Sequence, residues 1–129
     1  MNVDELLKFH LAFTFEAYTL CASKNHDYAG ADGGAPFRNF EAVEALGIAS
    51  TEAGFLVRMT DKLNRLVTFV NDGKLVLENE GAMDSLLDLI NYSVLLAAYM
   101  QHRSHGFPSL SEPPHHREDK GGPAPEKTG

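Results

Sequence analysis

The chain reads as an all-α helical bundle completed by oligomerisation. Three observations predict this. Long segments carry apolar residues at three- and four-residue steps, no stretch alternates cleanly with a period of two, and the helical segments hold more apolar surface than one packing face can use.

The first predicted helix covers residues 4–23. Leu6, Leu7, His10, Phe13, Ala17, Leu20 and Cys21 fall at helical steps, and Phe9 and Phe15 widen the apolar surface beyond one stripe. Residues 24–50 are read as a connector opening with Gly and Asp clusters, followed by a short helix from about Asn39 to Leu46. A second long helix is predicted from a Ser50 or Thr51 cap to about Asn71, where "NDG" ends it; its core stripe is read as Leu56, Met59, Leu63, Leu66, Val67 and Val70. The third long helix begins between Glu78 and Gly81 and runs to about Arg103, with Met83, Leu86, Leu87, Ile90, Val94, Leu95, Ala97 and Ala98 as its apolar set.

Residues 1–105 are thus expected to form the folded unit. Residues 106–129 hold five of the six prolines and only Phe107 and Leu110 as large apolar residues, which reads as a flexible tail.

Eighteen acidic against eleven basic residues give a formal charge of −7, too little positive charge to follow a nucleic-acid backbone. A small anionic substrate remains compatible if cations or a few local basic groups offset the carboxylates around it. The single cysteine, Cys21, permits neither an internal disulfide nor a paired-thiol zinc site, which fits a reducing cytoplasm. Asp4, Glu5, Lys8 and Glu16 interrupt the first helix, so neither a signal peptide nor a membrane segment is expected there.

Three polar clusters can carry chemistry. On the third long helix, Asp84 and Asp88 lie within about 40° of each other, Asn91 follows on the same side, and Glu80 is one turn earlier. Two carboxylates one turn apart can share a hard cation, or can simply be a solvated face. On the second, "RMTDKLNR" sets Arg58, Asp61, Lys62 and Arg65 along one side, from which Asp61 can oppose Asp84 and Asp88 while the cations meet phosphate oxygens; the same residues can equally form a structural ion-pair network. In the connector, Lys24, His26, Asp27 and Tyr28 precede "PFRNF". Tyr28, Phe37 and Phe40 can wall a base pocket that Asn39 reads, or can pin the Gly-rich loop to the bundle. His10, on an apolar stripe, is read as a core or interface residue, and Cys21 as a buried small side chain. No Gly-rich phosphate loop is present, because "GADGG" lacks the spacing and the following Lys-Ser/Thr.

"KNHDYAG", "PFRNF", "RMTDKLNRL" and "DSLLDLINYSVL", in this order, resemble the nucleotide modification associated domain of phage and bacterial proteins, a family related to the MazG-like all-α nucleoside triphosphate pyrophosphohydrolases. The resemblance spans roughly Leu6 to Met100. It implies a helical homodimer or homotetramer that uses a carboxylate cluster with Mg²⁺ or Mn²⁺ to cleave a nucleoside triphosphate into monophosphate and pyrophosphate. The family's usual Glu-x-x-Glu falls on Arg58 and Asp61, so its leading acid is an arginine here. Its Glu-x-x-Asp falls on Ser85 and Asp88, with Asp84 one residue earlier as a substitute.

With that resemblance, Asp61, Asp84, Asp88 and Glu80 are the expected metal set, with Glu52 or Glu16 as alternative ligands. Glu80, Asp84, Asp88 and Lys62 are the expected catalytic groups, with Glu80 either completing the metal shell or acting as the base on the attacking water. Arg58, Lys62, Arg65 and Lys24 would offset the triphosphate charge. Asp27, Tyr28, Phe37 and Asn39 are expected at the ligand, the last three around the base, with Asn91 and Tyr92 at the sugar or steadying a ligand carboxylate. The family context adds nucleotide-pool control, including removal of a purine deoxynucleotide. The alternatives are a nucleotide sensor that has lost catalysis and a non-enzymatic helical assembly protein.

Overall fold

A computed structural model describes residues 1–29 and 35–104, with the side chains of residues 25–29 outside that description. Four helices and no strand are found among the described residues: α1 (Val3–Ala29), α2 (Arg38–Ala45), α3 (Thr51–Asn71) and α4 (Glu80–Ser104). The expected tail, from residue 106, lies outside the described residues.

Each boundary has a local cause. Asn2 and Glu5 cap α1 reciprocally, the Asn2 side chain accepting from the Glu5 backbone N–H at 2.9 Å and the Glu5 carboxylate from that of Asn2 at 2.8 Å. The helix then runs through residues 24–29, which the sequence reading places in the connector. No Gly or Pro interrupts it before Gly30, and polar residues alone do not stop a helix. Ser50 caps α3 by accepting from the Ala53 backbone N–H at 3.1 Å, and Gly73, at φ +68°, lets the chain turn away after its last residues. Asn79 caps α4 by accepting from the Ala82 N–H at 3.2 Å, which settles the start that the sequence leaves open.

The central helix is α4, which α1 and α3 both pack against; α2 packs against α3. The core is aromatic. The Phe40 and Phe55 rings stack with centroids 3.9 Å apart, Tyr99 lies 6.0 Å from Phe55, and Phe37 meets Tyr99 edge-on at 5.5 Å. Close approach of α2 to α3 depends on Gly54, because a Cβ there would meet Val43 Cγ2 at 2.9 Å.

The packing face of α3 differs from the sequence reading. Thr51 and Phe55 are fully buried and Met59, Lys62, Leu66 and Phe69 partly so, whereas Leu56, Leu63, Val67 and Val70 are more than half exposed. Of two apolar stripes on one helix, the one carrying Phe55 packs inward because Phe40 supplies a ring to stack on it. A count of aliphatic residues favours the other stripe.

Candidate functional site

Along α4, Ala82, Ser85 and Tyr99 are buried on one side and Leu87 on another, with the polar strip Asp84–Asp88–Asn91 between these directions on the wheel. A cleft forms beside that strip. It encloses about 170 Å³ and is lined by Cys21 and Lys24 of α1, Phe40 of α2, Arg58 of α3, and Asp88, Asn91, Tyr92 and Leu95 of α4.

Its charge centre is Asp88. Lys62 Nζ lies 2.8 Å from one carboxylate oxygen and Lys24 Nζ 3.3 Å from the other, so one acid on α4 ties together cations from α1 and α3. Lys62 and Asp88 are largely buried at the side chain, while half of Lys24 faces solvent. Burial opposes ionisation of Asp88, but the hydrogen bond from Lys62 and the charge of Lys24 outweigh it and hold the carboxyl below the ordinary aspartate range. Two ammoniums against one carboxylate leave this point net positive in a chain of net charge −7.

Beside it, the Arg58 guanidinium carbon sits 4.6 Å from the Phe40 ring centroid, a cation–π contact that holds a third positive group at the cleft wall. Tyr92 meets Phe40 edge-on at 6.0 Å. The arrangement therefore offers ammonium and guanidinium donors, an aromatic wall and the Asn91 amide. These are groups suited to a phosphorylated ligand with a planar part.

Of the residues singled out in the sequence, Lys24, Arg58, Lys62, Asp88, Asn91 and Tyr92 converge here. Asp61, Arg65, Glu80, Asp84 and Asn39 are exposed and do not line the cleft. Phe37 turns to Tyr99 and His102, and Phe40 lines the cleft. Asp27 and Tyr28 lie outside the described side chains. Glu52 is bound by Arg103 at 2.7 Å, and Glu16 is exposed on α1.

Among the described residues no group of three or more His, Cys, Asp or Glu comes together, so Asp61, Asp84, Asp88 and Glu80 do not gather into one cluster within a single chain. The acids of α4 are oxygen donors of the kind a hard divalent cation takes, but at Asp88 that place is already taken by two ammoniums.

Two cleft residues were missed. Cys21 is only partly buried and Leu95 lines the wall; both sit on stripes read as ordinary core. The signal available was angular, since Leu95 falls one turn from Asn91, on the same side of α4.

Compared with known protein families, curated proteins and solved structures, the chain has no significant match in any of the three. The class established by the helices is an all-α, four-helix fold, and no helix among the described residues is long and apolar enough to cross a membrane.

Proposed function

We propose that the cleft binds a free nucleoside triphosphate and that the chain, with Mg²⁺ or Mn²⁺, hydrolyses it to nucleoside monophosphate and pyrophosphate, as the MazG-like resemblance implies. The observation that carries this reading is the convergence of Lys24 and Lys62 on Asp88 beside the Arg58-covered Phe40 ring.

The volume limits how the ligand sits. A space of about 170 Å³ is smaller than the several hundred Å³ usual for a whole ligand pocket, so it takes part of the nucleotide. The remainder extends along the exposed edge of α4 that carries Asp84 and Glu80.

Each residue then has a task. Lys24, half exposed on a flexible stem, releases Asp88 and follows a phosphate oxygen. Lys62, which reaches the cleft through Asp88 at 2.8 Å, stays as the fixed partner of that carboxylate. Arg58 shares its charge with phosphate while Phe40 and Tyr92 shield one side of the ligand from water, and Asn91 offers both a donor and an acceptor to sugar or base. A divalent ion arriving on the triphosphate, with Asp84 or Asp88 as an oxygen ligand rather than a full carboxylate cluster, would supply charge neutralisation and a more acidic water.

A second reading is favoured by one observation. Asp88 is neutralised by two lysines and the other acids stay apart, which suits a module that binds a nucleotide without turning it over.

Incubating the protein with each common ribo- and deoxynucleoside triphosphate, with Mg²⁺, with Mn²⁺ and with chelator, separates these. Metal-dependent appearance of monophosphate and pyrophosphate is the expected result. Binding without product selects the second reading, and neither binding nor product contradicts both.

A further inference from the structure

The cleft has a charged end and an aromatic end, and α4 sets their order. Asp88, met by Lys24 and Lys62, comes first along the helix; Asn91, Tyr92 and Leu95 follow it toward the C-terminus, with Phe40 beside Tyr92. A ligand whose planar part lies against Phe40 and Tyr92 therefore places the phosphate joined to its sugar near Lys24 and Arg58.

The charges at that end pair off unequally. Lys62 Nζ and one Asp88 oxygen are 2.8 Å apart with both side chains largely buried, so these two balance each other and stay in place. Lys24 is the looser partner of Asp88, at 3.3 Å and half exposed. Arg58 rests on the Phe40 ring, and among the described residues no carboxylate lies within ion-pairing distance of it. Lys24 and Arg58 are thus left over, the second a planar fork of donors suited to phosphate oxygens. A phosphomonoester carries close to two negative charges at neutral pH, and the two cations match it without a metal ion.

Beyond the first phosphate the balance reverses. Asp84 lies one turn, about 6 Å, before Asp88, and Glu80 another turn before that. Both are exposed and, among the described residues, neither pairs with a cation. A second or third phosphate running that way meets carboxylates, and the like charges repel unless a cation stands between them.

We propose that the cleft binds a nucleoside monophosphate through Lys24 and Arg58 with no metal ion, and that a divalent ion is required only by phosphates extending past Asp88 toward Asp84 and Glu80. The inference rests on reading the cleft as a nucleotide site and adds a regulation to it. Monophosphate released by hydrolysis keeps its place after metal and pyrophosphate leave, and competes with the next triphosphate.

The test is calorimetric titration of the full chain with each common ribo- and deoxynucleoside monophosphate, in Mg²⁺ and in chelator, beside the matching free nucleoside and a non-hydrolysable triphosphate analogue. At least one monophosphate is expected to bind with the same dissociation constant, within about twofold, in both buffers, and its nucleoside about tenfold or more weakly, as loss of charge-assisted hydrogen bonds implies. Arg58→Ala and Lys24→Ala, both at exposed positions, are each expected to lose about tenfold in monophosphate affinity with helical circular dichroism unchanged. The triphosphate analogue is expected to gain about tenfold or more from Mg²⁺, and Asp84→Asn to recover part of that gain in chelator. Monophosphate binding that is absent, that needs metal, that the free nucleoside equals, or that both folded variants keep in full overturns the proposal, as does a triphosphate analogue indifferent to Mg²⁺. Hydrolysis is judged separately, by product from triphosphate. Monophosphate binding in chelator without turnover keeps this inference and removes hydrolysis, whereas turnover without such binding does the reverse.

Discussion

The two halves of this molecule are held by different physics. Around Phe55, α2, α3 and α4 share stacked and edge-on rings with almost no solvent contact, and rings buried this way contribute both area and directional contact. Among the described helices α1 packs against α4 alone, burying the small side chain of Ala17, and is tied at its far end by Lys24 through Asp88 to Lys62. The first half is an aromatic core; the second is a helix seated on α4 by Ala17 with partly buried Phe13, Leu20 and Cys21, and tied by charge at the candidate site. Ligand binding can therefore alter the seating of α1 while leaving the aromatic half in place.

The largest expected effect lies in the aromatic half. Phe55→Ala should cost about 3–5 kcal/mol, read as a drop in the urea midpoint, because its ring is fully buried and stacked on Phe40. Gly54→Ala should cost less, about 0–2 kcal/mol, since the added Cβ meets Val43 at the α2–α3 contact while alanine's helix propensity offsets about 1 kcal/mol of that strain. If Phe55→Ala left stability untouched, the division between core and strap would be broken.

The strap should respond less in stability and more in function. Lys62→Ala is expected to lower stability by about 1–2 kcal/mol, because it takes one charge-assisted hydrogen bond from a largely buried carboxylate that Lys24 still reaches. Asp88→Asn removes the acid but leaves both ammoniums. Metal-dependent turnover should then fall, while triphosphate binding without metal should hold or tighten, and comparing the two in one titration separates catalysis from binding.

Acidity gives a finer effect. Because the Asp88 carboxyl sits below the ordinary aspartate range when folded, the unfolded chain takes up its proton first as pH falls. Its stabilising contribution is complete above the ordinary aspartate range, near pH 4, and is lost as pH drops through the lower folded value. Asp88→Asn should flatten that part of the stability profile. The smallest expected effect is at Arg103, whose solvent-screened bond to Glu52 should leave the urea midpoint almost unmoved when Arg103 is replaced by Ala.

The sequence was legible where one feature decided the outcome. A Ser50 or Thr51 cap and "NDG" after Val70 place both ends of α3 to within about a residue, because a cap and a left-handed glycine are local; the structure selects Ser50. The α3 core face was misread because two apolar stripes share that helix and the choice belongs to Phe40, fifteen residues away. Continuation of α1 through residues 24–29 was hidden for the opposite reason: its polar residues looked like a connector, yet none of them breaks a helix before Gly30. At the site, Asp88, Asn91 and Tyr92 were readable as one strip, and the basic residues of α3 as their opposite wall. Which cation would reach Asp88 was not readable. Lys62 and Arg58, one turn apart, have different ends, one on a carboxylate and one on a ring, and only the packing of three helices sets that.

The central claim is that the Lys24–Asp88–Lys62 cleft is a triphosphate site, and calorimetric titration with a non-hydrolysable nucleoside triphosphate analogue tests it most directly. We expect saturable binding by the wild-type chain, weakened about tenfold or more by Lys62→Ala, as loss of one charge-assisted hydrogen bond implies. No binding by the folded wild-type protein, or equal affinity in the two, would contradict it.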